Sequence, residues 1–259
     1  MDKKEYDIAV ADFTDVIRLK PSSPIGYTER GLAWERKGDF DRALADFNES
    51  LRHDPNDAWT YNNRGNVWSA KRELDKAIAD YGEALRLDPD FTWAYINRAL
   101  ARGAKRDYDH AIADLDRAVA RDPRNAYAFH DRALFEERKQ DYAKAAADYA
   151  EALRIEPKNR AARLGLAFLL ATCPDATYRN GPQAVLLATE AFATADEQDE
   201  AVSASVLAAS FAEAGDYPRA VEWQEKAIRL LPDSAGKETQ RARLGLYQAH
   251  KPFHRDPGN

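Results

Sequence analysis

The sequence predicts an all-α solenoid, a stack of short antiparallel helix pairs. Three observations predict it. Five prolines, Pro21, Pro55, Pro89, Pro123 and Pro157, stand 34 residues apart each time, and a constant period of that length marks one supersecondary unit copied along the chain, too small to bury its own apolar face and so stacked on its neighbours. Within each copy, small and bulky residues recur at helical spacing. The 259 residues are 44% hydrophobic and 32% charged, enough apolar side chains for a large core and too many for a disordered chain.

The chain opens on half a unit. Residues 5–23 match only a second helix, with Ala9, Phe13 and Pro21 in register and no first helix before them. The apolar stripe of Tyr6, Ala9, Val10, Phe13 and Ile17 is expected to lie partly uncovered, since terminal units of a stack need a polar outer face. The expectation is that sequence upstream or another copy of the chain covers it, which makes Tyr6, Val10, Phe13 and Ile17 candidates for self-association.

Four complete units follow, at 24–57, 58–91, 92–125 and 126–159. The first helix of each carries a large residue at its fourth position (Tyr27, Tyr61, Tyr95, Phe129) and a small one at its eighth (Gly31, Gly65, Ala99, Ala133), where close approach is needed. The second repeats a small residue and a bulky one four later, Ala43 and Phe47, Ala77 and Tyr81, Ala111 and Leu115, Ala145 and Tyr149, on one helical face. A polar turn joins the two helices, and the proline marks the exit from the second, which it cannot continue.

These residues resemble the tetratricopeptide repeat, whose signature is an aromatic, a small residue, an aromatic, an alanine, an aromatic, a small residue and a proline at these offsets. The resemblance implies a right-handed α-α superhelix, here of about six helix-turn-helix units plus a C-terminal capping helix, and a non-catalytic module that binds proteins or extended peptides; the alternative is a self-assembling scaffold, or the recruiting arm of a larger protein, working through the uncapped first helix. Two departures stand out. The turn glycine is kept at Gly38 and Gly215 but becomes Arg72, Arg106 and Gln140, at a cost of up to ~1 kcal/mol each if the backbone there is left-handed. The aromatic of the first helix survives as Trp34 and Trp68 and becomes Arg102 and Glu136, so the third and fourth units are expected to pack less tightly there.

Beyond residue 159 the period breaks. An irregular unit at 160–197 carries an inserted loop at 173–182 before a second helix from about Gln183 to Ala195, a further unit spans 198–233, a capping helix 234–250, and a tail 251–259. This stretch resembles a C-terminal module of bacterial tetratricopeptide proteins, with Leu170-Ala171-Thr172-Cys173-Pro174-Asp175, Tyr178-Arg179-Asn180-Gly181, Ala220-Val221-Glu222-Trp223-Gln224 and Arg243-Leu244-Gly245-Leu246-Tyr247 as hallmarks. No activity follows from that resemblance.

An arginine series, Arg30, Arg64, Arg98 and Arg132, sits at the seventh position of the first helices, where the family more often has leucine. Each has an aspartate in its own second helix, Asp46, Asp80, Asp114 and Asp148. A half-buried guanidinium needs a carboxylate to offset its desolvation, so a structural ladder is one reading and a row of anion sites the other.

In the family, the second, fifth, sixth, ninth, twelfth and thirteenth positions of each first helix line an inner groove. The second gives Ile25, Trp59, Trp93 and Tyr127, and beside it lie Asn62, Asn63, Asn66 and Asn97, then His130 and Asp131. An asparagine amide both donates and accepts, so Asn63 and Asn97, sixth in adjacent units, resemble the asparagine ladder that some members use on a peptide backbone. The alternative is that the tryptophans pack over the neighbouring turn and the asparagines bond water. The clamp that cochaperones use for a chaperone's C-terminal carboxylate is not matched, because its lysines and arginine are missing.

Other chemistries lack their residues. The net charge of -6, with no basic run, argues against nucleic acid. The five histidines form no zinc-helix pattern and no glycine-rich phosphate loop occurs, so neither cofactor, metal nor catalytic residue is expected. Cys173 reads as a small hydrophobe ending a helix, and fits a reducing compartment. No apolar run reaches the ~20 residues a bilayer needs, and the first residues lack a signal-peptide core, which makes the cytoplasm the default location.

Overall fold

A computed structural model describes residues 3–232 and 236–256. Among the described residues the secondary structure is helical throughout, and the chain divides into two compact units, Met1–Pro123 and Arg124–Asn259. In the first, α1 (Lys3–Leu19) precedes the pairs α2 (Pro24–Lys37) with α3 (Phe40–His53), α4 (Ala58–Ala70) with α5 (Leu74–Leu87), and α6 (Thr92–Ala104) with α7 (Tyr108–Arg121). In the second, α8 (Ala126–Arg138) pairs with α9 (Tyr142–Ile155), α10 (Arg160–Thr172) with α11 (Gly181–Phe192), and α12 (Glu200–Glu213) with α13 (Tyr217–Leu230), on which α14 (Gly236–Gln248) packs. The expected start of the last helix at Ser234 lies outside the described residues.

Local chemistry sets these boundaries. Asp39, Asp57, Asn125, Asp141, Asn159, Asn180 and Asp216 each accept a backbone N–H of the helix they precede, satisfying a donor that has no partner inside the helix. Each periodic proline falls two residues beyond the end of α1, α3, α5, α7 or α9, after an extended residue in the last four cases, as the steric demand of proline on its predecessor requires. The turns within the pairs α2–α3, α4–α5, α6–α7, α8–α9 and α12–α13 are left-handed. Gly38 and Gly215 have φ of 80° and 81°, and Arg72, Arg106 and Gln140 hold the same bend at 64°.

The core repeats with the sequence. Ala43, Phe47, Ala77, Tyr81, Ala111, Leu115, Ala145 and Tyr149 are all buried. The small eighth residue makes room for the bulky residue of the second helix rather than for a backbone: a Cβ on Gly31 would stand 2.8 Å from the Phe47 ring, and one on Gly65 would stand 2.7 Å from Tyr81.

The arginines form the structural ladder. Arg30, Arg64, Arg98 and Arg132 each grip both oxygens of Asp46, Asp80, Asp114 and Asp148, at 2.6 to 2.9 Å. Each guanidinium also lies by the fourth-position ring of its own helix, 5.3 to 6.0 Å from the centroid. Arg30 and Arg64 reach back further, to Thr14 and Asn48 of the preceding second helix. A second ladder runs alongside: Lys37, Lys71 and Lys105 pair with Asp7, Asp41 and Asp75, thirty residues earlier.

Where the first-helix aromatic is lost, polar groups enter the interior. Arg102 joins Arg98 on Asp114, its Nη1 at 2.6 Å from Oδ2. Glu136 is buried, and burial together with the nearby Asp148 pushes its carboxyl up to about 7.

The half-unit at the start is covered on one side only. Ala43, Leu44, Phe47 and Leu51 of α3 are buried, whereas Ala9, Val10, Phe13 and Ile17, 34 positions earlier, remain partly exposed, as does Tyr6. They pack on α2, with the Ile17 side chain 2.9 Å from where a Cβ on Gly26 would stand, and among the described residues no helix packs closely on their other side.

In the irregular unit α11 begins at Gly181, two residues before the expected start, because Asn180 caps it. The inserted loop is pinned by Arg179, whose Nη1 donates to the carbonyls of Cys173 and Pro174 at 2.9 and 3.2 Å while Nε reaches Glu213 at 3.1 Å. Gly181 is required there, since a Cβ would stand 2.5 Å from the backbone nitrogen of Ala214. Cys173 is buried at the end of α10, and burial raises its thiol away from reactivity.

Candidate functional site

First helices make one face of each unit. In the first unit α2 touches α4, and α4 touches α6, while the second helices α3 and α5 pack against the first helices on either side of them. The second position of each points off this face: Ile25, Trp59 and Trp93 are 66%, 61% and 48% exposed. Large apolar side chains left in water in three successive repeats form a stripe. Trp59 also leans on Phe91, with ring centroids 4.6 Å apart, so one edge of it packs over the neighbouring turn while most of the ring stays open.

Beside the stripe, a groove of about 540 Å³ opens between α2 and α4, lined by Ile25, Thr28, Glu29, Leu32 and Arg36 on one side and by Trp59 and Asn63 on the other. Asp54 and Asp57 close its end. Three carboxylates against one guanidinium make it acidic, and Thr28 ties its floor together through the hydroxyls of Ser50 and Thr60 at 2.7 and 2.9 Å.

The asparagines divide by role. Asn62 is buried, and its carbonyl accepts the amide of Asn97 at 3.0 Å. Asn66 accepts the Tyr81 hydroxyl at 2.9 Å. Asn63 stands on the groove wall. Thr28, Glu29, Leu32 and Arg36 were missed as a group, although counting the same inner positions in the first complete repeat finds them.

Tyr127, His130 and Asp131 lie on α8, in the second unit. Tyr127 is 57% exposed. His130 Nδ1 is 2.9 Å from Asp131 Oδ1, and its ring sits 5.8 Å from that of Tyr149. The Tyr149 hydroxyl, held protonated by burial, donates to Glu137 at 2.7 Å. Among the described residues no cluster of three or more His, Cys, Asp or Glu could hold a metal, and no helix is long and apolar enough to cross a membrane.

Stacked helix pairs, left-handed turns and an open face of first helices define a helical-repeat scaffold of the kind that binds other proteins. Profiles of the tetratricopeptide repeat match residues 58–91, residues 1–58 with 96–160, and residues 201–231. The chain belongs to that family. No curated protein matches it.

Among solved structures, the fold is similar to a chain of the APC/C hetero-tetramer Cut9-Hcn1, at 14% identity and a TM-score of 0.75 over 94% of this chain and 46% of that one. This chain thus spans under half the length of that relative. It is similar to pilF of Pseudomonas aeruginosa at 19% identity and a TM-score of 0.72, covering 85% and 96% of the two chains. It is also similar to YrrB, described as a tetratricopeptide protein with an unusual peptide-binding site, at 17% identity and a TM-score of 0.52 over 89% and 97%.

Proposed function

We propose that this chain is a non-catalytic interaction module whose first unit holds an extended peptide across α2, α4 and α6. The observation that carries the reading is the exposed stripe of Ile25, Trp59 and Trp93 beside an acidic groove. An aromatic face accepts apolar and cationic side chains, and Asn63 on the groove wall offers a donor and an acceptor to a passing backbone. Glu29, Asp54 and Asp57 favour a neutral or basic segment. YrrB, with its peptide-binding site, lends the fold a precedent.

The test is a peptide-library selection followed by calorimetry on variants. Trp59→Ala and Trp93→Ala should each weaken the selected peptide by ~1–2 kcal/mol, about 5- to 30-fold. Unchanged affinity in both variants would remove this face as the site.

A second reading rests on α1. Tyr6, Val10, Phe13 and Ile17 stay half-covered where their counterparts in α3 are buried, which suits a second copy packing there. Light scattering across a concentration series should then show a dimer that Phe13→Asp abolishes, and a monomer throughout would exclude it.

A further inference from the structure

Residues 251–256 leave α14 and lie across the first-helix face of the second unit. The exit is fixed at His250, whose backbone is left-handed at φ 55°, with the Lys251 N–H donating to the Leu246 carbonyl at 2.9 Å, a helix-ending turn that reverses the chain. His250 stacks on Tyr217 at 5.0 Å, and Pro252 forbids further helix.

Three consecutive side chains then find three sockets. Phe253 lies against the Arg243 guanidinium, 4.3 Å from its ring centroid, and joins the apolar cluster of Phe168 and Tyr247. His254 Nε2 is 2.7 Å from Glu213 Oε2, on the carboxylate whose other oxygen Arg179 holds. Arg255 places Nη1 2.5 Å from Glu137 Oε2 and its guanidinium over Phe168 at 5.1 Å, while its own N–H donates to the Thr172 carbonyl at 2.9 Å. Glu137, Phe168 and Thr172 stand at the twelfth, ninth and thirteenth positions of their first helices, and Glu213, two residues before the turn glycine Gly215 as Arg36 is before Gly38, matches the thirteenth, all inner-face positions. Main-chain bonding combined with side-chain sockets is how an extended peptide is read.

We propose that the face of α8, α10 and α12 is an arginine-reading peptide site for an extended partner segment with an aromatic residue two before an arginine, and that residues 253–255 are its built-in competing ligand. Glu137 supports a ligand role because it is nine-tenths buried, fixed by the Tyr149 hydroxyl, and aimed at a cation that comes from the tail rather than from a repeat. The tail also fits incompletely. Arg243 Nε and Tyr247 OH on the socket wall are buried without a hydrogen-bond partner, so a partner segment with further acceptors satisfies donors that the tail leaves unused. The hallmarks Arg179, Arg243 and Tyr247 all converge on this socket. This site shares the peptide-binding reading given above but none of its residues.

The probe is a fluorescein-labelled peptide with the sequence of residues 249–256, titrated by anisotropy. A tethered competitor lowers apparent affinity through its high effective concentration, so full-length Arg255→Ala should bind the probe at least tenfold tighter than the unaltered chain. Adding Glu137→Gln should abolish that gain, while Trp59→Ala leaves it intact, which separates failure here from failure of the first-unit site. Equal binding by the unaltered and Arg255→Ala chains, or none by either, would overturn the proposal. So would dimers of the peptide-free chain that Arg255→Ala dissolves, since the site would then serve tail exchange between copies. If Arg255→Ala fails to fold, hydrogen exchange on the unaltered chain decides: saturating peptide should accelerate the Arg255 amide and spare α14, and no acceleration refutes it.

Discussion

Arg64→Leu and Arg98→Leu remove the same rung of the ladder from successive repeats, yet their costs should differ. Arg64 holds both oxygens of Asp80 at 2.8 and 2.7 Å, Asp80 is 6% exposed, and among the described residues no second cation pairs with it. Removing Arg64 therefore strands a buried carboxylate, a loss of ~3 kcal/mol or more. Asp114 is buried as deeply, but Arg102 stays on its Oδ2 at 2.6 Å after Arg98 has gone, so Arg98→Leu should cost only ~1–2 kcal/mol. Combining it with Arg102→Leu should bring the loss to the Arg64→Leu level. Replacing Arg64 and Asp80 together by leucine should recover most of the stability, since both desolvation costs then vanish. Urea denaturation with an unchanged m-value reads these differences as midpoint shifts. Equal losses for Arg64→Leu and Arg98→Leu would refute the argument, as would losses below ~0.5 kcal/mol for both, the value of an exposed ion pair.

Two further predictions concern stability. Arg72, Arg106 and Gln140 are exposed and left-handed at φ 64°. Glycine at each should stabilise by ~0.5–1 kcal/mol, nearly additively across separate repeats, and a thermal melt of the triple variant no higher than that of the parent would contradict this. Glu136 titrates at about 7 in the fold against 4.5 when unfolded, because burial disfavours its charge. The folded state then holds the extra proton between these values, so the contribution of Glu136 to stability is fully present below pH ~4.5 and is lost as pH rises to ~7. Glu136→Gln should remove that slope and gain ~1–3 kcal/mol at pH 8; the same slope in the variant would show that another group causes it.

Repetition explains how much of this molecule was legible. A feature that recurs every 34 residues is seen several times over, so the helix pairs, the proline exits, the arginine ladder and the exposed second-position aromatics could all be read from the sequence. The lysine–aspartate ladder carried the same period and was overlooked because its partners sit thirty residues apart, in different repeats. The asparagines were harder. Asn62 and Asn63 are consecutive on α4, both at inner positions of the repeat, and only the approach of Asn97 shows that the first is buried while the second stands on the groove wall. The socket on α8, α10 and α12 was not legible at all, since its occupant is a non-repeating segment more than a hundred residues from Glu137 with no period to betray the pairing.

The first unit is proposed to present α2, α4 and α6 to a peptide. The most direct test is photo-crosslinking of a library-selected peptide carrying a photoreactive side chain, with the adducts mapped by mass spectrometry. Adducts should fall on Ile25, Leu32, Trp59, Asn63 and Trp93. Adducts confined to the second helices α3, α5 and α7, or to α1, would contradict it.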